Sequence, residues 1–181
     1  MRFDHNLEHW ENMDLEVLVC LTWWLVASLM YATFAERISA TATDGRDSTI
    51  GDFIHHVMCL WNGDKSIIGK LAQTYGVKVD VEAVASSITN FWNWLEKTYG
   101  KAISTERELP FSFTNELGQT VSGEIDLIYR TEKGDVLIDY KTFQGKVTAL
   151  TDKDSDFFAG KYGRQIELYE QTLKLNNYNV I

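Results

Sequence analysis

The sequence predicts an α/β fold: a small mixed β-sheet flanked by helices, with a helical N-terminal half. Three observations point there. Residues 121–130 and 135–142 read as strands. They flank Thr131-Glu132-Lys133-Gly134, a short loop ending in glycine, which is a hairpin signature. Residues 49–61 and 81–99 carry apolar side chains at helical spacing. Finally, 181 residues that are 45% hydrophobic, with one proline, suffice for one domain with a sizeable core and leave little room for linkers.

The N-terminal part is the least ordinary. Between Glu16 and Glu36 the run Val17 to Ala35 holds no charged residue. That length could span a bilayer as a helix. However, Thr22, Ser28 and Thr33 interrupt it, acidic residues flank its start, and no Lys/Arg cluster marks a cytoplasmic side. It reads instead as a buried helix, or as one docking on a neighbouring domain. Residues 1–48 are therefore expected to form an N-terminal helical segment and 49–181 the main domain.

In residues 49–61, Ile50, Phe53, Ile54, Val57, Met58 and Trp61 form one apolar stripe, with Ser48 as N-cap. His55 and His56 fall on opposite borders of that stripe, and periodicity does not choose between them. The helix at 81–99 has Asp80 as cap and Gly100 as stop. Residues 105–114 read as a first strand before the hairpin, and 157–175 as a last helix. Gln165 and Tyr169, at i and i+4, share a face of that helix. Asn177 to Ile181 reads as a turn entering a strand that stops abruptly, as in a piece of a longer polypeptide.

The hairpin carries the chemistry. If Arg130 pairs with Asp135, Asp126 falls opposite Asp139 and Glu124 opposite Lys141. Opposed Cβ atoms are roughly 4.5–5.5 Å apart. These four groups share one face, and Ile125, Leu127, Tyr129, Val136, Ile138 and Tyr140 share the other. Two close carboxylates repel unless something positive lies between them, and a hard divalent cation fits oxygen ligands. The plain alternative is the solvated face of an antiparallel pair.

Gly123-x-x-Asp126 followed by Asp139-Tyr140-Lys141-Thr142 resembles the core of the PD-(D/E)XK nuclease superfamily, in its RecB-like branch. Two further motifs match in order. Gly51-Asp52-Phe53-Ile54-His55 resembles the branch's Gly-x-x-x-His helix, and Gln165-Ile166-Glu167-Leu168-Tyr169 its Gln-x-x-x-Tyr helix. Glu106 stands where the family has an acidic residue before its first core strand. The resemblance implies a restriction-endonuclease-like core. It implies that Asp126, Asp139 and the Tyr140 carbonyl hold Mg²⁺ or Mn²⁺, with His55 as a further ligand. Lys141 would orient the attacking water. Glu124 would hold that lysine or reach a second metal. Gln165 and Tyr169 would grip the nucleic-acid backbone or the lysine. The activity implied is metal-dependent hydrolysis of DNA, as in exonuclease domains C-terminal to UvrD/Rep-type helicases in recombination and repair. A catalytically silent module that guides DNA or braces a helicase is the competing reading.

Charge limits that picture. Net charge is −9, the wrong sign for a free-standing nucleic-acid binder. Either basic residues cluster locally, with Lys146, Lys153, Lys161 and Arg164 as candidates, or a helicase partner supplies the grip on DNA. The two cysteines, Cys20 and Cys59, cannot make the four-cysteine iron–sulfur cluster of some RecB-like nucleases. Without a signal peptide or cysteine framework, the expected setting is cytoplasmic, with no membrane partner.

Overall fold

The computed structural model describes residues 14–25, 28–114, 117–143 and 163–181. The elements run β1 (Asp14–Leu25), β2 (Ser28–Ala42), α1 (Asp47–Leu60), α2 (Lys65–Tyr75), β3 (Val77–Val79), α3 (Val81–Tyr99), β4 (Ser104–Thr114), β5 (Thr120–Thr131), β6 (Gly134–Phe143) and α4 (Gly163–Leu175). Six strands make one sheet in the order β3-β2-β1-β6-β5-β4. Every ladder between these strands is antiparallel, and one parallel bridge joins Asp135 to Val180. The mixed character of the sheet thus rests on that one bridge.

The expected N-terminal helix gives way to strands, which corrects the sequence reading. Residues 14–25 and 28–42 form two long paired strands, Asp14 opposite Ser39 through Leu25 opposite Ser28. The run is rich in residues that favour strands: Val17, Val19, Thr22, Trp23, Trp24, Tyr31, Thr33 and Phe34. Continuous apolarity without a period marks a buried strand as readily as a buried helix. β6 supplies the partner, with Leu21 paired to Ile138 and Glu16 to Phe143. Among the described residues no helix is long and apolar enough to cross a membrane.

The helices follow their local signals more closely. The Asp80 side chain accepts the N–H groups of Glu82 and Ala83 and so caps α3, which ends at Gly100. α1 starts at Asp47 without a side-chain cap of its own. Asp44 instead takes the Arg46 N–H and the Thr49 hydroxyl. At the other end of α1, Arg107 donates to the carbonyls of Met58, Cys59 and Trp61, while its guanidinium lies over the Trp92 ring. Carbonyls that a helix end leaves unsatisfied are thus met by a cation from β4.

Two cores cover the two faces of the hairpin. α1, α2 and α3 pack Phe53, Val57, Ile68, Val84 and Phe91 with Leu127, Tyr129, Val136, Ile138 and Tyr140. α4 packs Ile166, Tyr169 and Leu173 with Ile125, Ile128 and Leu137. Ile125 therefore leaves the apolar set expected for it and joins the opposite face. The alternation slips between Ile125 and Leu127, where β4 carries Glu108 at φ 49° opposite the slip. On the face expected to be polar, α4 covers Ile128 and Leu137, while Arg130 stays partly exposed beside Tyr178.

Candidate active site

The hairpin register holds from Thr131 opposite Gly134, through Arg130 opposite Asp135, to Leu127 opposite Ile138. There it stops, one residue short of Asp126 and Asp139. From Ile138 onward β6 pairs with β1, so Lys141 lies opposite Leu18, while Glu124 lies opposite Pro110 on β4. The expected Glu124–Lys141 pair is not made by the ladder. β5 and β6 diverge here, and the polar groups occupy the fork between them.

Asp126 and Asp139 are both buried, at 8% and 1% exposure. Asp126 Oδ2 accepts the Tyr140 N–H at 2.5 Å, and its Oδ1 lies 3.6 Å from His55 Nδ1. His55 Nε2 donates to the Tyr140 carbonyl at 3.1 Å, which leaves Nδ1 facing the carboxylate. Asp139 leans towards α4, where Gln165 Nε2 donates to its Oδ1 at 3.4 Å and to the Tyr169 hydroxyl. Lys141 Nζ stands 2.6 Å from Asp139 Oδ2. The structure thus brings His55, Asp126, Asp139, Tyr140, Lys141, Gln165 and Tyr169 to one place. His56 turns to Asp52 and to the Tyr75 hydroxyl at 2.7 Å.

Glu124 is exposed on the wall of a neighbouring cleft of about 570 Å³, together with Asp52, His55, His56, Cys59 and Glu108. Glu108 is the residue the sequence reading missed. Ligand atoms of His55, Glu108 and Asp126 lie within 4.8 Å of one another. Glu106, the expected acidic residue, accepts the Tyr178 hydroxyl at 2.8 Å and lies 3.4 Å from Arg130. The two glutamates are two residues apart and would share a face in a regular strand. The ladder breaks at Glu108, which has a positive φ of 49°, and no residue type signals that. Of the expected basic patch, Lys146, Lys153 and Lys161 lie outside the described residues, and Arg164 is the second residue of α4.

Burial dominates the electrostatics. It raises Asp139 to about 6; the Asp126 charge adds to this and Lys141 opposes it. It also raises Asp126, against the pull of His55 and the Tyr140 N–H, and it raises Glu108, with Asp126 adding. Burial alone would lower Lys141, but the Asp139 carboxylate more than offsets this. Asp139 Oδ2 is buried and faces the Lys141 ammonium at 2.6 Å, an ion pair largely withdrawn from solvent. Buried carboxylate oxygens, a carbonyl and one imidazole suit a hard divalent cation. The residues present fit such an ion.

Both motif glycines mark close approaches. A Cβ on Gly51 would lie 3.1 Å from the Thr142 hydroxyl, so glycine lets α1 lie close to β6. A Cβ on Gly123 would lie 2.7 Å from the Phe111 ring.

The model of the PD-(D/E)XK nuclease superfamily matches residues 30–180. The chain is also similar to an ATP-dependent helicase/nuclease subunit of Anoxybacillus flavithermus (strain DSM 21510 / WK1), at 34% identity over 108 residues, 58% of this chain. It spans only 8% of that relative's length. No solved structure matches significantly. A family match that takes in α1, the forked hairpin and α4 covers every element bearing the site, and the chain belongs to the PD-(D/E)XK nuclease superfamily.

Proposed function

We propose that this chain is a divalent-metal-dependent deoxyribonuclease domain, the exonuclease part of a helicase–nuclease acting in recombination and repair. The observation that carries the reading is the fork between β5 and β6. It gathers His55, Asp126, Asp139 and the Tyr140 carbonyl beside Lys141. Those four would hold Mg²⁺ or Mn²⁺, and Glu108, whose ligand atom lies within 4.8 Å of those of His55 and Asp126, would join them. When bound, the ion would polarise a phosphodiester oxygen and lower the pKa of a water.

The chain's own residues do the rest. Lys141, held by Asp139, would orient the attacking water and offset charge developing on phosphorus. Gln165 fixes the Asp139 carboxylate, and Tyr169 fixes Gln165. Glu124, on the cleft wall, would serve a second cation.

A net charge of −9 speaks for a partner that holds the DNA, since phosphate binding rests on Lys and Arg. The relative named above belongs to a helicase/nuclease, which supports a motor domain in that role. A cytoplasmic setting belongs to the same proposal.

Asp139→Ala is the test. Expected is loss of Mg²⁺- or Mn²⁺-dependent cleavage of linear DNA, with the thermal transition kept. Retained cleavage refutes the site. A wild-type chain that neither cleaves DNA nor takes up Mn²⁺ by calorimetry would be the silent module instead.

A further inference from the structure

Phe111 lies opposite Gly123 in the β4–β5 ladder. A Cβ at Gly123 would come within 2.7 Å of Phe111 Cζ and 2.8 Å of Cε1, so the ring lies in a notch that only glycine leaves open. Gly123 has no positive φ, so space and not backbone freedom fixes its identity. From the notch the ring meets Tyr169 edge-to-face, with centroids 5.4 Å apart at 74°. Tyr169 receives the Gln165 amide, and the same nitrogen donates to Asp139 at 3.4 Å. That last distance is at the long limit of a hydrogen bond, so a small rotation of α4 breaks it. Tyr169 and Gln165 are one turn apart, so a shift of one moves the other. The remaining apolar contacts of α4, through Ile166 and Leu173, set its depth against the sheet.

We infer that Phe111, seated in the Gly123 notch, is a positioning residue: it sets the rotation of α4 at which Gln165 reaches Asp139. The inference rests on the nuclease reading for its effect on rate, but not for the geometry itself.

The test uses Phe111→Leu, Gly123→Ala (which evicts the ring) and their combination in the full chain. At saturating DNA the cleavage rate should fall on the order of ten- to a hundredfold in each, with KM unchanged, as for a small misplacement of a catalytic group. The double variant should be no worse than either single, and Phe111→Leu should cost nothing further in a Gln165→Ala background, since both act through one contact. A full rate in Phe111→Leu, or losses that multiply with Gln165→Ala, would overturn the inference. Should Phe111→Leu fail to fold, Gly123→Ala carries the same comparison. A wild-type chain that cleaves nothing would sink the nuclease reading alone. The side-chain amide resonance of Gln165 then decides: shifted in Phe111→Leu as it is in Asp139→Ala it supports the inference, and unmoved it refutes it.

Discussion

Asp126 accepts the backbone N–H of Tyr140 at 2.5 Å, so a side chain supplies the bond where the β5–β6 ladder has ended. This ties the carboxylate to the fork. It also separates two jobs of one residue: satisfying a buried N–H and carrying charge. Asp126→Asn keeps an oxygen for Tyr140 and removes the charge. It should retain wild-type stability in urea unfolding and lose Mn²⁺ binding in calorimetry. Asp126→Ala should lose both. Leaving the N–H unpaired costs about 1–3 kcal/mol.

Asp139 gives a pH dependence with a definite sign. Its folded value of about 6 lies above the unfolded value of 3.8. Between those values the folded state holds more protons, so stability falls as pH rises from about 4 to about 6. Below that window the penalty is gone, and above it the penalty is complete. The shift corresponds to roughly 3 kcal/mol. The metal-free chain should therefore melt higher at pH 5 than at pH 7, and Asp139→Asn should reduce that difference, leaving the part that buried Asp126 and Glu108 add. Metal and proton compete for the same oxygens, so Mn²⁺ affinity should drop as pH falls below about 6. Scanning calorimetry across pH and Mn²⁺ titration at pH 5 and 7 check the two halves.

The sequence carried the hairpin, the caps of α3 and the order of the site motifs, because each rests on local chemistry. The turn between Thr131 and Gly134 fixes a register that runs true to Leu127 and Ile138. What it could not carry was long-range. Val17 to Ala35 has no helical period, but its identity as two strands depends on β6 offering an edge almost 120 residues away. The fork opens where the β5–β6 ladder stops at Leu127 and Ile138 while β6 runs on beside β1, a change no local signal records. Glu108 replaces Glu106 at the site for the same kind of reason, through one unforeseen backbone angle.

His55 and His56 are neighbours in sequence with different surroundings. Only His55 presents a ring nitrogen to Asp126, with its other nitrogen fixed by a backbone carbonyl. His56 is exposed and engaged by Tyr75 on α2. His55→Ala should weaken Mn²⁺ binding on the order of ten- to a hundredfold, as when a metal site loses a ligand or its support. His56→Ala should stay within about twofold, since its ring turns to Asp52 and Tyr75 and not to the site carboxylates. Calorimetric titration of both variants under one condition makes the comparison. Equal losses would assign the wrong histidine.

Gly51 tests whether the closeness of α1 to β6 serves the site or merely the packing. Alanine inside a helix is favoured over glycine by about 1 kcal/mol. Against this, the new methyl would stand 3.1 Å from the Thr142 hydroxyl and push α1 outward by a few tenths of an ångström. These terms oppose each other in stability, so Gly51→Ala should melt within a few degrees of wild type. They do not oppose each other at the site. His55 lies one turn further along the displaced helix, and its 3.1 Å bond to the Tyr140 carbonyl stretches with it. Cleavage and Mn²⁺ affinity should fall while the melting temperature holds. Thr142→Ala removes the obstructing hydroxyl, and adding it to Gly51→Ala should return both. Recovery in the double variant, measured beside Thr142→Ala alone, identifies the helix–strand distance as the quantity that the glycine sets.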